Sequence, residues 1–84
     1  MKRSDIEQQI GKRLKDIRLS KRLSQEKVGN FCNVTFQQIQ KYEKGRNGIS
    51  AFRLLQLSNG FDVPVSYFFE GLNTGLQNFG SSTN

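Results

Sequence analysis

The sequence predicts an all-α domain, a compact five-helix bundle. Apolar residues recur at spacings of three and four along most of the chain, as they do on one face of a helix. Serine or threonine stands before several of these segments, at the position from which it caps a helix. The alternation of apolar and polar residues that indicates strands is not found. These observations favour short helices packed around one small core.

The first predicted helix extends from about Asp5 to Lys21. Ser4 and Glu7 have the spacing of a capping box, which would begin this helix. Its apolar stripe consists of Ile6, Ile10, Leu14 and Ile17. The opposite face is basic and carries Lys12, Arg13, Lys15 and Arg22. One side therefore faces the core and the other is available to a polyanion.

A second helix and a tight turn follow. Ser24 is an N-cap candidate, and Val28 and Cys32 lie four residues apart on one face. Asn33 comes next, and asparagine is, after glycine, the residue that best tolerates a left-handed helix end. The small Gly29 suits a close crossing with the next helix.

The third helix begins after Thr35, which forms a second capping box with Gln38. Ile39 and Tyr42 continue an apolar face, and Gly45 ends the helix as a C-terminal cap. Residues 25–44 therefore carry the pattern of a helix-turn-helix, whose second helix stands clear of the domain.

Ser50 caps the fourth predicted helix. Its apolar stripe consists of Leu54, Leu57 and Phe61. Gly60 lies inside this helix and is a weak point, because glycine costs about 1 kcal/mol relative to alanine.

Val63 and Pro64 open a short fifth helix through Glu70, since proline suits the first helical position. We expect this helix to supply Phe68 and Phe69 to the core.

The chain is expected to form one domain, residues 1–71, followed by an uncharged flexible tail, residues 72–84. The tail is rich in glycine, serine, asparagine and threonine, which is typical of a mobile segment. Leu72, Leu76 and Phe79 keep helical spacing, so a docked segment is the alternative.

Positive charge is concentrated in the first half of the chain. The 84 residues include 13 Lys+Arg and 7 Asp+Glu, a net charge of +6. Residues 1–46 hold 12 basic and 5 acidic side chains, whereas residues 47–84 hold 1 and 2. A basic lobe on a small domain indicates a polyanionic partner, although charge alone equally fits a solubility device.

The composition excludes several functional classes. There is no His and only one Cys, so no His-based triad, His/Cys metal cluster or internal disulfide can form within this chain. The glycines show neither GxxxxGK[ST] nor GxGxxG. We therefore expect no enzymatic activity, no cofactor, no metal and no small-molecule ligand. No membrane span or signal-peptide segment is evident, which predicts a cytoplasmic protein.

Residues 10–71 resemble the lambda-repressor-like, XRE-type helix-turn-helix family, which includes phage repressors and Cro-type proteins. The most specific features are Gln25 and the Tyr42-Glu43-x-Gly45 run that ends the third helix. Ile10-Gly11, Leu23-Ser24, Val34-Thr35, Ile49-Ser50 and the Val63–Gly71 segment extend the match. The sequence departs from the family pattern at Gly29, Asn33, Ser58 and Gly60, which predicts a marginally stable domain.

The resemblance implies a sequence-specific regulator that binds double-stranded DNA. Members of this family usually bind palindromic operators as two-fold symmetric dimers, and most are transcriptional repressors. The recognition helix, beginning at Phe36, would then enter the major groove and meet base edges there. The dimer interface in the family is often built after the fourth helix, which here indicates Pro64–Phe69, with or without the tail.

Four residues are candidate base readers. Phe36 either presses on a thymine methyl group or packs against protein. Gln37 suits adenine N6 and N7, and Lys41, one turn later, suits guanine or a phosphate. Gln38 either contacts DNA or satisfies the backbone N–H of Thr35.

The remaining candidates hold phosphates or support the fold. The predicted phosphate-binding residues are Gln25, Gln40, Lys44, Arg46 and Asn47, each of which is otherwise a solvated side chain. Arg18 and Glu43 match a family pair that bridges the first and third helices.

A different class of function remains open. The exposed Phe36 and the apolar residues of the tail would also suit a protein-interaction module, such as an antitoxin or a coactivator-like adaptor.

Overall fold

The computed structural model describes residues 2–72 of the chain. Its regular elements are all helices, and residues 2–72 contain no strand. It comprises the α-helices α1 (Arg3–Ser20), α2 (Gln25–Gly29), α3 (Phe36–Glu43) and α4 (Ala51–Phe61), followed by a 3₁₀ helix, η1 (Val65–Phe69). The all-α prediction is confirmed, with four α-helices rather than five. The predicted tail lies outside the described residues from position 73, and with it Leu76 and Phe79.

Three helices begin at the predicted caps. The Ser24 hydroxyl accepts a hydrogen bond from the backbone N–H of Lys27, at 3.0 Å. Thr35 Oγ1 accepts from the N–H of Gln38 at 3.3 Å. Ser50 Oγ accepts from the N–H of Arg53 at 3.1 Å. Each hydroxyl satisfies an amide that the first helical turn leaves without a partner.

The predicted start of α1 at Ser4 is wrong. The helix begins two residues earlier because the Asp5 carboxylate accepts a hydrogen bond from the backbone N–H of Lys2, at 3.1 Å. Ser4 therefore lies inside the first turn. The helix ends at Ser20, where Arg22 takes the left-handed conformation, with φ 58°.

The turn between α2 and α3 has the predicted backbone. Asn33 has φ 57°, so the left-handed residue is where the sequence places it. The N–H of Val34 donates to the Gly29 carbonyl at 2.9 Å, which closes the turn. A Cβ atom at Gly29 would lie 2.4 Å from the Val34 carbonyl oxygen, so this crossing requires glycine.

One hydrophobic core joins all five helices. Its fully or nearly buried members are Leu14, Ile17, Val28, Cys32, Ile39, Tyr42, Leu54, Leu57, Phe61 and Phe68. The expectation that Phe69 also enters the core is wrong, because its side chain is 44% exposed. Neighbouring residues of a 3₁₀ helix point about 120° apart, so burying Phe68 turns Phe69 outward. Pro64 stands just before η1, as its N-cap, rather than at the first helical position.

The helical Gly60 has a packing reason that the sequence analysis missed. A Cβ atom at this position would lie 2.4 Å from the ring of Phe31. That ring packs edge-on against Phe61, with centroids 5.1 Å apart. The glycine therefore makes room for an aromatic pair that joins α4 to the α2–α3 turn.

Candidate nucleic-acid interface

Helix α3 divides sharply into a buried and an outward side. Ile39 and Tyr42 are 0% and 6% exposed. At about 100° per residue, the opposite arc carries the exposed side chains of Phe36, Gln37, Gln40 and Lys41. We call these four residues the recognition face. It combines amide, ammonium and aromatic groups on a single helix, within reach of one binding partner.

Gln38 lies at the edge of this face and is half-buried. Its backbone N–H is held by Thr35. Among the hydrogen bonds of residues 2–72, its side chain does not return a bond to the Thr35 N–H, so only half of the capping box forms.

Glu43, the last residue of α3, is held from two other helices. Arg18 on α1 donates from Nε to Oε2 at 2.5 Å and from Nη2 to Oε1 at 3.1 Å. Both side chains of this pair are largely shielded from water, at 11% and 5% exposed. Arg18 also donates from Nη1 to the Leu23 carbonyl at 3.0 Å, beside the start of α2. The bidentate geometry fixes the end of α3 relative to α1.

Gln25 joins the same cluster. Its Nε2 donates to Glu43 Oε1 at 3.1 Å, which ties the first residue of α2 to the last residue of α3. A primary amide has a second N–H and a carbonyl oxygen, so Gln25 retains hydrogen-bonding capacity for a ligand. With Lys15, Gln40 and Lys44 it lines a shallow concavity above the ion pair.

The backbones of α1 and α3 also touch directly. A Cβ atom at Gly11 would lie 2.1 Å from the Tyr42 carbonyl oxygen and 2.9 Å from that of Glu43. Glycine is required here because the obstructing atoms are backbone and cannot rotate away.

The loop after α3 carries the remaining phosphate candidates. Lys44, Arg46 and Asn47 are exposed. Gly45, with φ 69°, turns the chain so closely onto α1 that a Cβ there would lie 2.6 Å from the Cα of Gln8. Within residues 2–72, neither Lys44 nor Arg46 forms an ion pair, and nor does Lys41 on α3. The positive charge around the recognition face is thus left for a partner.

Arg13 does not belong to this surface. Its Nε donates to the Tyr67 carbonyl at 2.9 Å and its Nη2 to Glu70 at 3.0 Å. Its guanidinium also stacks 3.8 Å from the centre of the Tyr67 ring. Arg13 was predicted on an exposed basic face, but its side chain fastens η1 to α1.

Arg53 is a structural residue that the sequence analysis missed. Its Nη1 donates to the Cys32 carbonyl, so α4 caps the turn between α2 and α3. No local sequence pattern predicts this contact, because it joins residues 21 positions apart. Burial raises the pKa of the Cys32 thiol above its ordinary value, and the nearby Arg53 charge partly offsets this.

Helices α4 and η1 also carry large exposed apolar side chains. Phe52 and Leu55 on α4 are 66% and 52% exposed, and Val65 and Phe69 on η1 are 40% and 44% exposed. We call these four residues the apolar face.

Two features are absent from residues 2–72. No helix in this range is long and apolar enough to cross a membrane. No group of three or more His, Cys, Asp or Glu side chains is placed to hold a metal ion.

Comparison with known proteins gives a clear result. The model of the helix-turn-helix family matches residues 14–68. An uncharacterised HTH-type transcriptional regulator of Sinorhizobium medicae (strain WSM419) is 48% identical over 69 residues, which cover 82% of this chain and 50% of that protein. An uncharacterised transcriptional regulator in the ATPase CF(0) region of Rhodospirillum rubrum is 43% identical over 70 residues, covering 83% and 65%. The chain therefore spans about half to two-thirds of the length of these relatives.

A solved structure has the same fold. The restriction-modification controller protein C.AhdI from Aeromonas hydrophila superposes with a TM-score of 0.77 over 82% of this chain and 100% of that one. The two sequences are 23% identical, so the likeness concerns the arrangement of helices.

Proposed function

The chain belongs to the XRE-type helix-turn-helix family of DNA-binding transcriptional regulators, and from this we propose that it recognises a specific operator in double-stranded DNA. The complete proposal is a homodimer on a palindromic operator, acting as a repressor in the cytoplasm. Members of the family are regulators rather than enzymes, and the proposal needs no cofactor.

The recognition face is the observation that carries this proposal. An α-helix fits the major groove, and the side chains at its N-terminal end meet base edges there. Phe36 and Gln37 are exposed at that end of α3, Lys41 is exposed one turn later, and Gln38 lies at the edge of the recognition face. We propose that Gln37 reads adenine through N6 and N7 and that Lys41 reads guanine or an adjacent phosphate.

Phosphate contacts would set the register of α3 in the groove. Lys44, Arg46 and Asn47 follow α3 and are exposed, so they would meet the backbone beside the recognition helix. Gln25 and Gln40 line the concavity near the Arg18–Glu43 pair and would hold a second phosphate. In this arrangement the ion pair positions α3 and does not itself bind DNA.

A second copy of the chain is the proposed occupant of the apolar face. A palindrome presents two identical half-sites, so two copies related by a two-fold axis match it, about 34 Å apart or a multiple of that. The apolar face includes Val65 and Phe69 of the predicted Pro64–Phe69 interface. A Phe69→Ser variant should sediment as a monomer at concentrations where the parent protein is dimeric. If the Phe69→Ser variant still sedimented as a dimer, η1 would not be part of the interface.

The deciding experiment selects bound duplexes from a random DNA pool at near-physiological salt. An enriched palindrome with the predicted half-site spacing would support a dimeric sequence-specific regulator. A transcription assay with that operator placed over a promoter would then test repression. Folded protein that enriches no sequence would leave only the phosphate attraction common to all DNA.

A protein-interaction module is the second candidate, and the apolar face favours it. Four large exposed apolar side chains on α4 and η1 would also suit a different protein. A stable complex with such a protein that covers the apolar face, together with failure of the DNA selection, would establish this alternative.

A further inference from the structure

Phe36 is an apolar side chain on an otherwise polar and basic face. It is the first residue of α3 and is 44% exposed. Its neighbours on the outward arc are Gln37, Gln40 and Lys41, whereas the apolar Ile39 lies on the buried side. The core therefore does not explain an aromatic residue at this position.

The ring is also outside the aromatic pairs of the domain. Within residues 2–72 these pairs join Phe31 to Phe61 and Tyr67 to Phe68. The Thr35 cap fixes the backbone at the start of α3, so Phe36 projects from a well-held position. The 44% of Phe36 that is exposed is therefore available to a partner.

The surrounding charge limits the partner. Lys41 on the same helix and Lys44 and Arg46 just beyond it form no ion pair within residues 2–72. Phe52 and Phe69 are as exposed, but they lie in the half of the chain that holds 1 basic and 2 acidic side chains. Among the phenylalanines of residues 2–72, Phe36 alone combines an exposed ring with a surface that attracts a polyanion.

We infer that the Phe36 ring packs on the C5-methyl group of a pyrimidine in the major groove. This inference depends on the proposed function. The C5-methyl is the apolar group that base edges present in that groove, and apolar side chains recognise it by contact. Thymine carries this methyl group, and 5-methylcytosine carries it at the same ring position, so both are possible sources.

The test uses the operator obtained from the random pool. Each thymine of a half-site is replaced in turn by deoxyuridine, which removes the methyl group and keeps the pairing. One replacement should weaken binding of the parent protein about four-fold, which is the ~0.8 kcal/mol of a buried CH₂-sized group at 1.4 kcal/mol per tenfold. The same replacement should leave the dissociation constant of Phe36→Ala unchanged.

Two control variants make the assignment specific. Leu19→Ala removes a large exposed apolar side chain outside both faces and should retain the full deoxyuridine penalty. Phe36→Leu keeps an apolar side chain and should retain part of it. Circular dichroism should show that all three variants remain folded, because Phe36 and Leu19 are both exposed.

The two sources of the methyl group are distinguished at the thymine whose replacement weakens binding. At that position, the affinity for a C·G pair is compared with the affinity for a 5-methyl-C·G pair. Tighter binding of the methylated pair, lost in Phe36→Ala, would show that both sources are recognised, whereas equal binding would restrict Phe36 to thymine.

The outcomes separate this inference from the function on which it depends. A pool without enrichment refutes both. If an operator is enriched but each deoxyuridine replacement weakens binding of the parent protein and of Phe36→Ala equally, this inference alone is refuted.

Discussion

The recognition face and the apolar face differ in how the chain holds them in place. Helix α3 is fixed by an ion pair whose side chains are 11% and 5% exposed and by a direct backbone contact at Gly11. Helix η1 is fastened by Arg13 and Glu70, whose side chains are 28% and 61% exposed, and by the buried Phe68. Water weakens the second set of polar contacts far more than the first. The surface proposed to read bases is therefore rigid, and the one proposed to meet protein is more adjustable.

The largest effect is expected from breaking the buried ion pair. Arg18→Ala leaves the Glu43 carboxylate buried without its partner, so the free energy of unfolding should fall by about 3–5 kcal/mol. Urea denaturation measures this. Arg13→Ala is the matched control, the same substitution on the same helix, and should cost less, about 1–2 kcal/mol, because Glu70 is 61% exposed and water can replace the lost polar contacts. Equal losses in the two variants would contradict the contrast between the faces.

The backbone contact at Gly11 should be nearly as sensitive. Gly11→Ala places a methyl group 2.1 Å from the Tyr42 carbonyl oxygen, so α1 and α3 must separate, at about 1–3 kcal/mol or more. The midpoint temperature of thermal denaturation and the affinity for DNA should both fall. Gly48→Ala is the control, since its Cβ meets the side chain of Glu7, which can rotate away. A Gly11→Ala variant as stable as Gly48→Ala would remove this support for α3.

A smaller effect should appear in base recognition. Gln37→Ala should cost about 1–3 kcal/mol at one base pair of the operator and relax the choice of base there. Binding to an operator library measures the change. Gln56→Ala on α4 is the control and should leave every base preference intact. An unchanged preference in Gln37→Ala would show that Gln37 does not read bases.

The smallest effect should be uniform across sequences. Lys44→Ala removes a proposed phosphate contact, so all duplexes should bind more weakly. The slope of the logarithm of the binding constant against the logarithm of the salt concentration should become about one unit less steep. Titrations at several salt concentrations on the operator and on unrelated DNA measure both. A loss confined to the operator would instead make Lys44 a base reader.

The sequence predicts the parts of this fold that depend on neighbouring residues. Ser24, Thr35 and Ser50 cap their helices as expected, and Asn33 takes the expected left-handed backbone. These features depend on residues one turn apart, so a linear pattern contains them.

The remaining contacts depend on residues that are far apart in the chain. Arg13 and Glu70 are separated by 57 positions, and Arg53 meets the turn at Cys32 from another helix. Spacing along one helix indicates which face is polar but not which distant group will meet it. The same limit explains Phe69, whose direction depends on the 3₁₀ form of η1 rather than on its apolar character.

The contact between Gly11 and the end of α3 has a consequence for the DNA. Two backbones that touch cannot adjust by rotating a side chain, so α3 is preorganised and has little freedom to follow an irregular groove. On the proposed palindrome, any misfit between two copies of the protein and two half-sites must then be absorbed by bending or twisting of the duplex. The energy of that deformation depends on base sequence even where no side chain reaches. Central base pairs of the operator should therefore be selected for flexibility alone.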